Sequence, residues 1–109
     1  MKDKKYIERI ITYSSKINRY MEHVNTFSEF IQNGEKVDAV MLNLEQLGET
    51  AKKLSVDSIQ AYNVVDWPKI IGLRNIISHE YEGIRLEIIY QIAKDSIPKL
   101  LCNLMTHVE

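Results

Sequence analysis

Sulfur chemistry is almost absent from this chain. Cys102 is its only cysteine, so no internal disulfide can form. A lone thiol in an apolar run reads as a small buried hydrophobe rather than a nucleophile. Proline and glycine are also scarce, at 2 and 4 residues, which leaves little room for a turn-rich β-sandwich. Long hydrophobic runs are missing too. No stretch of about 18 apolar residues exists, so no membrane span is expected. The opening MKDKKYIERI lacks the apolar block of a signal peptide, and the expectation is a cytoplasmic protein. Charge of one sign is lacking as well. The formal net charge is -1, which excludes a whole-chain basic field but leaves a local basic site open.

Common chemical signatures are likewise missing. His23, His79 and His107 show no ligand spacing among themselves or with carboxylates, and there is no second cysteine, so no metal site is expected. No glycine-rich phosphate loop occurs, and Ser14, Ser15 and Ser78 lack a nucleophile-elbow context. No cofactor is implied.

What the chain does have is helical periodicity. Hydrophobic residues make up 45% of its 109 positions, enough for the core of a single domain spanning 1–109. Tyr6, Ile10, Tyr13, Ile17, Tyr20, Val24 and Phe27 recur at four- and three-residue steps along one helix face. Thr26 or Asn25 can cap a short helix carrying Phe27, Phe30 and Ile31, with Asn33-Gly34 as its stop. A second long stripe runs from about Lys36 to Leu54, with Gly48 allowing a close neighbour. The SVDSIQAYN stretch reads as a loop. Asp66 and Pro68 start a helix that should reach His79 or Tyr81, and Gly83 marks a break. A last long helix begins near Ile84 and should kink at Pro98. The expected fold is all-α: an antiparallel up-and-down bundle of four long helices plus one short helix.

One stretch, RNIISHEY at 74–81, has two readings. With Arg74 at zero on a helical wheel, Ser78 and Tyr81 fall within about 40° of it, and Asn75 and His79 lie near 100° and 140°. Leu73, Ile76 and Ile77 fall on the other side. The polar face gathers a guanidinium, an imidazole, an amide, a hydroxyl and a phenol. A polar face is normal for a surface helix, and that is one reading. The other is a phosphodiester-cleaving site. There arginine would grip the phosphate bidentately, and histidine would move protons near neutral pH. Two charge features read as ordinary surface: Glu49 and Lys53 as an i,i+4 ion pair, and Lys2, Lys4 and Lys5 as a solvated basic terminus.

The Arg-x4-His-x-Tyr pattern of Arg74, His79 and Tyr81, with Asn75 after the arginine, resembles the signature of HepT-like toxins in the HEPN superfamily. NLEQLGETAKKLS, DWPKIIGLRN and DSIPKL are similar to other parts of that family, and Thr50 stands where alanine is more usual. The resemblance implies an HEPN-like bundle acting as a homodimer. It implies a metal-independent ribonuclease with Arg74 and His79 as catalytic residues and Asn75 as their polar helper. It further implies an RNA substrate and a partner, a minimal nucleotidyltransferase antitoxin that adenylylates Tyr81 and silences the toxin. The alternative is a non-catalytic helical subunit that docks a nucleotidyltransferase and binds nucleotide.

Overall fold

The computed structural model describes residues 2–80 and 86–107, giving the backbone alone at 78–80 and 107. Among these residues every regular element is helical. Two helices run unbroken for 18 residues: α1, Lys4–Met21, and α3, Gly34–Ala51. Between them lies the short α2, Phe27–Ile31. After α3 come α4, Val56–Ala61, α5, Trp67–Ile71, and α6, Leu73–Glu80. The chain then resumes with α7, Leu86–Gln91, a π-helical turn over Ile92–Ser96, and α8, Ile97–His107. α1 packs against α3 and α8, while the other flank of α3 carries α5 and α6. The expected bundle is therefore present, with its third and fourth members each divided into successive helical segments. None of the described helices is long and apolar enough to cross a membrane.

The core confirms the main stripes and shifts their centre. On α1 the buried line is Ile7, Ile10, Ser14, Ile17 and Met21, and the tyrosines at 6, 13 and 20 sit half-buried on its flank. The phenol hydroxyls explain the offset, because they need a wet or polar partner that the centre lacks. Val24 and Phe27, expected on the same helix, lie beyond its end. α2 begins where Thr26 accepts from the Glu29 amide at 3.1 Å, and Glu29 answers by accepting from the Asn25 amide at 3.2 Å. Asn33 is not only a stop. Its side chain accepts from the Lys36 amide at 3.1 Å and opens α3 at Gly34.

Three expectations need correction. SVDSIQAYN is not a loop, because α4 forms within it. Its helix start is held from outside: Asp3 Oδ2 accepts from the Ser55 amide at 2.7 Å, the Ser55 hydroxyl at 2.7 Å and the Ser58 hydroxyl at 2.6 Å. The helix expected from Asp66 is divided at Gly72, whose ψ of -8° tightens the turn while its amide still donates to the Pro68 carbonyl at 3.0 Å. The Gly83 break lies outside the described residues. Cys102 is exposed rather than buried, since Leu100 and Leu104 take the inward positions of α8 and Cys102 falls on the far side.

Asp3 also yields a measurable consequence. The Ser58 hydroxyl, then the Ser55 amide and hydroxyl, stabilise its charged form and lower its pKa from 3.8 to about 2. A depressed carboxylate stabilises the fold above its unfolded pKa and loses that contribution as pH falls towards the folded one. Thermal melts of wild type should therefore steepen in pH dependence between pH 3.8 and about 2. Asp3→Ala should melt lower at pH 7 and show no such window. An unchanged pH profile in Asp3→Ala would refute the account.

Candidate functional site on the Arg74 helix

The site begins with how α6 is placed. Trp67 is buried at the start of α5, and its indole N–H donates to the Tyr62 carbonyl at 3.0 Å. Asp66 caps the same helix by accepting from the Lys69 amide at 3.2 Å. From there Ile70, Leu73 and Ile77 are buried, and Ile76 is partly so. These apolar anchors fix which side of α6 turns inward. Arg74 and Asn75 are left exposed.

Gly48 then sets the distance between α3 and α6. A Cβ at that position would lie 3.1 Å from the Arg74 backbone nitrogen, 3.2 Å from the Ile70 carbonyl and 3.3 Å from the Leu73 Cβ. Two of those three neighbours are backbone and cannot swing away. Glycine inside a helix costs about 1 kcal/mol relative to alanine, and here it permits the close approach. Gly48→Leu should overpack this seam and cost on the order of 3 kcal/mol, read as a lower denaturation midpoint. A midpoint equal to wild type would mean that the seam is loose.

The next residue along α3 completes the geometry. Glu49 Oε1 lies 2.6 Å from Arg74 Nε, in an ion pair whose side chains are 38% and 51% exposed. Oε1 itself is shut off from solvent and has no aligned hydrogen-bond donor, so the contact is chiefly charge on charge. Glu49 was expected to pair with Lys53. Instead Lys53 turns to α1, its ammonium 5.8 Å from the centre of the Tyr6 ring. The planar guanidinium is the better partner for a carboxylate, and the Gly48 seam brings it within reach. The sequence signal for this was the Gly-Glu pair itself: a close-approach residue followed by an acid.

Of the sequence candidates, Arg74 and Asn75 stand together on the outer side of α6. His79 lies on the same helix five residues on, about 7.5 Å along the axis, and its side chain lies outside what is described. Tyr81 lies outside the described residues. Glu49 is the residue of this site that sequence reasoning missed.

The fold and this surface define a helical bundle that displays an arginine on an Arg-x4-His helix. The chain belongs to the ribonuclease HepT-like family, whose model matches residues 10–106. Two proteins of Methanocaldococcus jannaschii that carry provisional RNase names are similar to it. One is 35% identical over 68% of each chain, and the other 38% identical over 67% of this chain and 60% of its own length. A protein of Thermococcus cleftensis named "Probable ribonuclease HepT" is 25% identical over 89% of this chain and 87% of its own. No solved structure matches at a significant level.

Proposed function

We propose that the chain is the toxin of a two-component toxin–antitoxin pair, a ribonuclease that cleaves RNA without a metal ion. The observation that carries this is Arg74. In a member of a ribonuclease family, it stands half-exposed on a helix anchored by Leu73 and Ile77, oriented by Glu49 and open to a phosphate. In this reading the RNA 2′-hydroxyl attacks the adjacent phosphorus and the P–O5′ bond breaks. The products are a 2′,3′-cyclic phosphate and a 5′-hydroxyl. Arg74 neutralises the charge that builds on the phosphate, His79 moves the proton, and Asn75 orients. The nucleophile comes from the substrate, so no protein nucleophile is required. Two subunits sharing a cleft would bring two such helices to one RNA. Incubating RNA with the protein in excess chelator tests the proposal. Cyclic phosphate ends are expected, and intact RNA would overturn it.

Glu49 gives this reading a second handle. A half-exposed ion pair contributes at most about 1 kcal/mol to stability, so Glu49→Gln should melt close to wild type. Its effect should appear in kinetics instead. Freed from its carboxylate, Arg74 loses orientation, and kcat should fall by about 10-fold. KM for RNA should fall too, because a negative charge has left the site. A rise in KM with unchanged kcat would contradict this role.

A further inference from the structure

The pairing of Arg74 with Glu49 raises an electrostatic problem. The site's one described cation is neutralised in the free protein, and the chain as a whole carries -1. A polyanion is captured mainly by uncompensated Lys and Arg. Such a surface exists where α1 meets the end of α3. Tyr6 is half-buried there, and three cations gather round its ring. Lys5 Nζ is 5.1 Å from the ring centre, Arg9 Cζ 5.9 Å and Lys53 Nζ 5.8 Å. The first two come from α1, and the third from the turn after α3. Among the described residues none of the three makes an ion pair. Two carboxylates lie near, Asp3 and Glu8, and Glu8 shares a surface hollow with Lys5 and Arg9. Asp3 is enclosed by Ser55 and Ser58, and Glu8 pairs with Lys4 at 3.9 Å.

We infer that Lys5, Arg9 and Lys53, gathered on Tyr6, form a phosphate-binding platform for the RNA strand whose cleavage is proposed at Arg74. The inference rests on that ribonuclease reading for the identity of its ligand. Like charges held together repel one another, and the Tyr6 π-face offsets only part of that repulsion. An incoming phosphodiester backbone would relieve the rest. Lys53 follows Glu49 by four residues, about 6 Å along the direction of α3, and Glu49 holds Arg74. A strand reaching from the platform to the arginine would cross α3 from its α1 flank to its α6 flank. Clustered cations of this kind are what a single-stranded backbone follows. The lysines at the N-terminus alone gave no such signal, because Arg9 and Lys53 join them only in the fold.

The test uses the full chain and a single-stranded RNA methylated at every 2′-hydroxyl, so that binding is read without cleavage. In fluorescence anisotropy, Lys5→Gln/Arg9→Gln/Lys53→Gln should bind on the order of 30-fold more weakly than wild type. Its slope of log affinity against log salt should be shallower by about 2. Lys16→Gln/Arg19→Gln/Lys99→Gln removes the same formal charge elsewhere and should cost no more than about 3-fold. On cleavable RNA the platform variant should lose through KM and keep its kcat. Equal losses in the two triple variants would show a whole-molecule field and overturn the platform. So would an unchanged KM, or a wild type that binds no RNA. Platform-dependent binding without cleavage would retire the ribonuclease reading and leave the platform standing, while cleavage indifferent to the three residues would do the reverse. Should the triple variant fail to fold, Lys5→Gln and Arg9→Gln singly carry the same comparison at about 3-fold each, with Lys5→Arg expected to match wild type.

Discussion

Arg74→Ala is expected to abolish RNA cleavage, lowering kcat/KM by about 10³-fold or more, while leaving the helical circular dichroism signal and the melting temperature near wild type. The stability side follows from exposure: Arg74 contributes a surface ion pair, not core. The activity side follows from the proposed chemistry, in which the guanidinium meets charge that develops only as the 2′-oxygen bonds to phosphorus. Arg74→Lys should recover little, because an ammonium is a point charge without the planar fork. His79→Ala should fall by 10²- to 10⁴-fold, the range for losing a proton-transfer group, and should also remove the pH dependence of cleavage near neutrality. The assay is release of cyclic phosphate ends in chelator. Cleavage that persists in both alanine variants would assign the activity to other residues.

The second large effect concerns silencing. With a minimal nucleotidyltransferase, ATP and Mg²⁺, the chain is expected to gain mass in whole adenylate units at Tyr81. The phenol oxygen attacks the α-phosphorus of ATP, pyrophosphate leaves, and the phenol proton passes to solvent. The modified protein should be inactive on RNA. Tyr81 follows Arg74 by seven residues, a spacing of about two turns on an ideal α-helix, and on such a helix an adenylate there would bring a bulky anion towards the cation that the substrate needs. Tyr81→Phe should resist modification and remain toxic in the partner's presence. Adenylate mapped by mass spectrometry to the half-buried Tyr90 or the buried Tyr62 would refute the assignment.

Much of the fold was legible because its signals are local. The Ile10 and Ile17 line of α1, the Val40, Leu44 and Leu47 line of α3, and the caps at Thr26 and Asp66 depend on neighbours a few residues away. What escaped was long-range. α4 has Val56 and Gln60 exposed and little apolar pattern, and it is secured by Asp3, more than fifty residues earlier. The polar outer side of α6 could be drawn on a wheel, because Leu73 and Ile77 declare the inner one. The partner of Arg74 could not be drawn, because nothing in the Glu49–Lys53 spacing says that a third residue will claim the carboxylate. The break at Gly72 was hidden by the continuity of Ile70, Leu73 and Ile77 across it.

The π-helical turn before Pro98 has a consequence for how this chain tolerates length changes. Proline has no amide to donate back to Lys94, and the wider turn over Ile92–Ser96 takes up one surplus residue there. Lys94 meanwhile donates its ammonium to the Val24 carbonyl, pinning the turn to the end of α1. The turn thus acts as a phase adjuster between two apolar stripes: Ile89 before it with Ile92 and Ala93 at its start, and Ile97, Leu100 and Leu104 after it. Deleting one residue within 92–96 would let the backbone close into ordinary α-helix, which costs the ladder nothing. A π turn of five residues and an α turn of four sweep about the same angle, so Leu100 and Leu104 should stay in the core and Cys102 outside it. In this segment the alignment of the two halves survives the loss of one residue, because the π turn already holds the surplus.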